Sequence, residues 1–134
     1  MANVGANIGQ QVRNWMNGGG AAVTAGTGRF VAVGLVAPSS TNGQEVATGS
    51  GMTRQTVAFS AAASPTNTAG NSVAATLGPN SALATYLGVT IWDTGAGTVG
   101  LGTLVWYNTL LTSRTLAGGD SLVFAVGALL TSMG

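Results

Sequence analysis

Glu45, Asp93 and Asp120 are the only carboxylates in this 134-residue chain, and Asp93 has the most suggestive neighbours. It opens Asp93-Thr94-Gly95-Ala96 directly after the apolar run Val89–Trp92. A strand-end Asp-Thr-Gly suits acid-protease chemistry, in which two carboxylates share one proton and one of them activates water. Dimerisation could supply the second carboxylate. The same three residues also suit an Asx-type turn that simply closes a strand. Gly95, Gly97 and Gly100 spell G-x-G-x-x-G, with Asp120 about where a ribose-binding acid would fall. That fingerprint must open a helix whose N-terminus meets a pyrophosphate. Here it runs into Leu104-Val105-Trp106-Tyr107, which are strand formers, so a flexible loop explains the glycines better.

The chain has no His, Cys or Lys, and its four basic residues are Arg13, Arg29, Arg54 and Arg114. The common zinc sites need imidazole or thiolate ligands, so no metal site is expected. A Ser-His-Asp triad, a thiolate nucleophile and a Schiff base lack their residues as well. The sequence is accordingly read as a non-enzyme with no catalytic residues and no cofactor. Trp92, Trp106 and Tyr107 could stack on sugar rings, with Gln55 and Asn108 as polar companions, but at strand spacing they read as core or interface residues. Arg54 and Arg114 are expected to pair with Glu45, Asp120 or backbone carbonyls, and Arg13 to extend from a helix.

Only 5% of residues are charged and the net charge is +1, against a usual charged fraction of about 25%. Four scattered Arg make no basic stripe, so nucleic acid is not an expected partner. Mean hydropathy is +0.40, yet the longest apolar runs, 30–37 and 122–130, fall short of the ~20 residues of a spanning helix. No early positive charge precedes an apolar stretch, so neither a secretory signal nor a membrane is expected. The exterior must be covered largely by Gly, Ala, Ser, Thr and Asn. Small neutral side chains permit close approach without stripping water from ions, and a surface without mixed charge does little to keep copies apart. Much of it is therefore expected to be covered by other chains.

The elements that place these residues begin with an arm, residues 1–20, ahead of a domain spanning 21–134. Val4, Ile8, Val12 and Trp15 recur at helical spacing, with Asn3 as an N-cap and Gly18-Gly19-Gly20 as the stop. This face docks on the domain's own core or on a neighbour, and Val4, Ile8, Val12 and Trp15 are the candidate interface. Residues 30–36 read as a strand buried on both faces. Residues 54–60 alternate, with Gln55, Val57 and Phe59 on one face. Residues 61–71 read as a low-complexity loop or extended segment. Strands follow at 73–77, 83–92, 104–110, 111–116 and 121–130, the last two joined by Ala117-Gly118-Gly119-Asp120 as a compact hairpin turn. In the strand at 83–92, Leu87, Val89 and Ile91 should share one face, and Tyr86, Thr90 and Trp92 the other. Turn-bounded strands without intervening helices indicate an all-β fold, an antiparallel β-sandwich or jelly-roll-like barrel with a short N-terminal helix.

Four segments taken together resemble a known family. They are Phe30-Val31-Ala32-Val33-Gly34-Leu35 with Ala37-Pro38-Ser39, and Gly43-Gln44-Glu45-Val46 with Thr53-Arg54-Gln55-Thr56-Val57-Ala58-Phe59-Ser60. The others are Leu87-Gly88-Val89-Thr90-Ile91-Trp92-Asp93, and Thr103–Tyr107 through Leu111–Leu116 and Gly119-Asp120 to Phe124–Leu129. Their order and spacing over residues 29–130 are similar to small bacteriophage virion proteins usually labelled phage tail fibre protein. Residues 81–86 depart from that pattern, lacking its Trp-Gly-Thr and its His. The resemblance implies a short N-terminal helix and a strand-ending Asp at Asp93.

It also implies a virion structural part on the phage particle surface, assembled in the bacterial host cytoplasm. One domain of this length is roughly 40 Å across, too short for a fibre unless copies stack. The favoured role is a multi-copy capsid decoration (cement) or tail-surface subunit. It would be a homo-oligomer that contacts other virion proteins, such as the major capsid or tail protein. A receptor- or glycan-binding tail fibre module is the alternative, and a retropepsin-like aspartic protease a remote one.

Overall fold

The structure, a computed structural model, describes residues 3–19, 28–46, 50–62, 68–95 and 101–132. In chain order its elements are β1 (Asn3–Val4), α1 (Ala6–Met16), β2 (Arg29–Gly34), β3 (Gln55–Val57), β4 (Thr68–Gly70) and β5 (Ala75–Leu77). They continue with β6 (Ala84–Trp92), β7 (Leu104–Leu116), β8 (Leu122–Phe124) and β9 (Leu130–Ser132). Strands β1-β7-β6-β2-β3 form a five-stranded sheet, while β4-β9 and β5-β8 form two ribbons. Every pairing among the described strands is antiparallel. The fold is all-β with one short helix, as the turn-bounded, β-branched runs predict.

Strand β2 lies between β6 and β3 and is covered from both sides. Val31 and Val33 enter a core shared with Val57, Ile91, Leu77, Leu122 and Phe124, so the β5-β8 ribbon packs on this face as a second layer. Ala32 points the other way, to Trp92, Leu104 and Tyr107. The two-sided apolar reading holds for Val31–Gly34, but the strand stops at Gly34, and Leu35 and Val36 are exposed. A side chain at Gly34 would overlap the Gln44 carbonyl, because the returning loop runs against the strand there.

Several local expectations change. Residues 104–116 are one strand, β7, without a break at 110/111. Its register with β6 is irregular, Tyr86 pairing with Arg114 but Gly88 with Thr109. The extra β7 residues shift the phase, so Tyr86 joins the Ile91 face instead of the Thr90 and Trp92 face, and Leu87 is exposed. Alternation predicts faces only while register is continuous.

The turn at Ala117–Asp120 is compact as expected, with Gly119 at φ +92° and the Asp120 N–H donating to the Ala117 carbonyl at 3.1 Å. It does not make a hairpin, however. Strand β7 stays in the large sheet while β8 pairs with β5, so the turn is a corner between layers. The expected strand at 121–130 is interrupted by a turn at 125–128, where Gly127 sits at φ +78° and its N–H is taken by the Asn71 carbonyl. Residues 63–67 of the low-complexity stretch, with Gly97 and Gly100 of the glycine pattern, lie outside the described residues.

Candidate functional site

Each of the three acids is engaged by the fold. Arg54, fully buried, donates from Nε to Glu45 Oε2 at 2.9 Å and pairs a second time through Nη2 and Oε1. Its Nη1 donates to the Thr94 and Leu101 carbonyls, each at 2.8 Å, and its guanidinium lies 4.1 Å from the centre of the Trp92 ring. The expected Arg54–Glu45 pair is therefore present, as an interior clasp joining four segments. Asp120 closes the corner turn by accepting the Ala117 N–H at 3.0 Å. Arg114 is exposed on β7.

Asp93 ends β6 as a turn residue. Its Oδ1 accepts the Thr103 N–H at 2.6 Å and the Thr94 hydroxyl at 2.9 Å. Burial alone would raise its carboxyl. The Thr103 N–H, the Thr94 and Thr103 hydroxyls and the Arg29 charge outweigh this and hold it below the usual carboxylate range. A dyad sharing a proton needs one carboxyl raised, so the geometry fits the turn. Residues 125–128 form a turn of their own, with the Ala128 N–H donating to the Ala125 carbonyl at 3.0 Å.

The aromatic residues do not share a platform. Trp92 and Tyr107 lie on one side of the sheet. Trp106 lies on the other, 6.2 Å from Phe59 between ring centres. The Gln55 amide turns back on Thr53, and Asn108 Oδ1 accepts its neighbour's N–H. Sequence reasoning missed two buried amides that organise the corners. Asn71 donates to the Val73 and Ala125 carbonyls and accepts the Leu129 N–H, each at 2.9 Å. Asn80 accepts the buried Tyr86 hydroxyl at 2.7 Å and donates to the Ala82 and Leu116 carbonyls. Only their places in turn-forming tripeptides hinted at this.

The N-terminal residues form a strand and then a helix. Asn3 pairs with Tyr107 in β1 and is not a cap, while Gly5 occupies the N-cap of α1 without a side-chain bond. Contact explains the shift: the Gly5 N–H donates to the Val105 carbonyl at 2.8 Å, and any Cβ there would overlap the Leu104 carbonyl. Val4 thus belongs to the strand, beneath Gly9, not to the helix face. Ile8 and Val12 are half-buried, Trp15 is 56% exposed and Met16 72%. No helix residue is buried. Gly18, at φ +74°, stops the helix as predicted. The helix is tied at its start, where the Ala6 N–H donates to the Ser40 carbonyl at 3.0 Å, and presents its apolar end outward.

A family model described as Podophage GP4 fiber I protein gp80 matches residues 4–132. The chain belongs to this family. It is a phage virion structural protein of the fibre type, in keeping with the resemblance carried by residues 29–130 and with a family whose role is structural. The match takes in α1 as well as all the strands from β2 to β9. No curated protein matches the chain.

Proposed function

We propose that this fibre-family chain is a multi-copy subunit of the virion surface, held by contacts with further copies of itself and with a major capsid or tail protein. The observation that carries this is the outer surface. Every acid is engaged by the fold, while Trp15, Met16, Leu35, Val36, Leu83 and the fully exposed Leu111 face outward. Leu35, Val36 and Leu83 line one cleft together, and contiguous exposed apolar surface of that kind marks contact with other chains. The arm of residues 1–20, with Val4, Ile8, Val12 and Trp15, is the part of this surface we assign to contacts between subunits. The family's fibre description favours the tail over capsid decoration.

Absolute quantification of this chain in purified particles by mass spectrometry tests the reading. Tens to hundreds of copies indicate a shell or tube and a handful indicates a tip. Absence from mature particles removes the proposal.

A further inference from the structure

The cleft that holds Leu35, Val36 and Leu83 has a volume of about 390 Å³ and brings residues 35–36 and 44–46 together with residues 80–84 and Tyr86. We infer that it receives the apolar end of α1, Trp15 and Met16, from a second copy of the chain. This rests on the multi-copy reading and adds which two surfaces meet.

Both surfaces are apolar, and neither is covered within one chain. Leu83 is 74% exposed and Val36 57%, while Trp15 and Met16 are each more than half exposed. Each surface also carries one exposed charge, and the two are opposite in sign. Arg13 lies three residues before Met16, hence beside it on the helix surface, and has no ion-pair partner among the described residues. Asp120 is the one exposed acid among the described residues, and its corner turn lies against the cleft. The Asp120 carbonyl accepts the Asn80 N–H at 2.7 Å, and a Cβ at Gly118 would lie 3.3 Å from the Ser81 carbonyl oxygen. Glu45, which also lines the cleft, is already matched by Arg54, and Arg114 does not line it. The attraction between Arg13 and Asp120 sets how the helix end enters, and the apolar contact supplies the affinity. Trp and Arg, both present at the helix end, are enriched among the residues that dominate interfaces.

The cleft is built before a partner arrives. The Val46 N–H donates to the Val33 carbonyl at 3.0 Å, and the Ser81 N–H to the Ser50 carbonyl at 2.9 Å. Asn80 accepts the Tyr86 hydroxyl at 2.7 Å and donates to the Leu116 carbonyl at 3.3 Å. A site that needs no reordering loses less free energy on binding. Because the helix end and the cleft are different patches of one chain, each copy gives one and receives one. Such a contact is head-to-tail, and it closes into a ring or runs on as a stack. A domain too short to be a fibre by itself extends in this way.

Sedimentation velocity of the full chain tests this with two variants altered at exposed positions. Trp15→Ser/Met16→Ser removes the apolar helix end and keeps the cleft. Leu83→Arg blocks the cleft with a cation that repels Arg13 and keeps the helix end. The parent should associate as its concentration rises. Each variant alone should associate more weakly, by roughly tenfold or more, while melting as the parent does. Mixed in equal amounts, the two should form a heterodimer and nothing larger, since only one intact helix end meets one intact cleft. Arg13→Glu, which turns a like charge toward Asp120, should weaken association more than Arg13→Gln. The inference is overturned if the parent stays monomeric, if either variant assembles as the parent does, or if the mixture gives no heterodimer. A monomeric parent whose Leu83→Arg variant is lost from particles would assign the cleft to a different virion protein. Absence of the chain from particles removes the multi-copy reading, whereas many copies per particle with both variants assembling like the parent removes this contact alone.

Discussion

Replacing Arg54 by Met should be the most damaging single change in the domain. The guanidinium is wholly buried, paired twice with Glu45 and bonded to the Thr94 and Leu101 carbonyls, which flank the 95–100 connection. Met fills similar volume but leaves the Glu45 carboxylate, only 5% exposed, without its counter-charge. Removing one partner of a buried pair costs about 3–5 kcal/mol, because the other charge stays in low dielectric. For a domain of this size that corresponds to a fall in melting temperature of roughly 12–20 °C. The double variant Arg54→Met/Glu45→Leu leaves no stranded charge and should recover part of this loss. Thermal and urea unfolding of the four chains completes the cycle. Were Arg54→Met to unfold within about 1 kcal/mol of the parent, the buried clasp would be refuted. A double variant worse than the single would show that stranded charge is not the cause.

Asp93 links stability to pH, and the sign follows from its lowered carboxyl. A depressed folded-state value means that Asp93 stabilises the fold above its unfolded value of about 3.9. That contribution is lost as pH falls through the folded value, so Asp93→Asn should flatten the acid limb of urea midpoints measured between pH 2 and 6. Gly5→Ala places a Cβ into the Leu104 carbonyl. It should free the arm, seen as faster amide exchange over residues 3–16 with the exchange of β2 and β6 unchanged. Trp15→Ser, at an exposed helix end, should leave the melting temperature within about 1 °C while reducing the copies retained per particle.

Much of the strand content was legible because β-branched and aromatic runs between glycine turns mark strands whatever their partners. What one-dimensional pattern could not supply was the partner of each strand. Ala117-Gly118-Gly119-Asp120 has the composition of a hairpin turn and forms a tight one, yet the flanking strands enter different layers. The Asn80 main chain decides this: its N–H donates to the Asp120 carbonyl and its carbonyl accepts the Gly119 N–H, each at 2.7 Å. Those bonds link residues far apart in sequence, and no local periodicity reports them. Tyr86 failed for a related reason, since β7 residues bulging opposite Leu87 reset the alternation. At the arm, helical spacing found α1 but could not foresee that β1 would pair with β7, because an edge contact leaves no periodic trace in two residues.

The scarcity of charge and the way the charges are used are connected. With so few ionisable groups, the fold still commits its acids to structure, Glu45 to a buried clasp and Asp93 and the exposed Asp120 to turns. The Arg54–Glu45 pair cancels inside, leaving Arg13 on α1, Arg114 on β7 and Asp120 in the corner turn as the exposed charged side chains. Two exposed cations and one exposed anion are a weak repulsive barrier between copies at physiological salt, where the screening length is about 8 Å. Close approach of small, neutral surfaces then meets little electrostatic resistance, and the exposed apolar residues provide the attraction. On this reasoning assembly should depend only weakly on ionic strength. Sedimentation of the isolated chain at 50 mM and 500 mM salt would show it, and dissociation by salt alone would mean that the contacts are ionic after all.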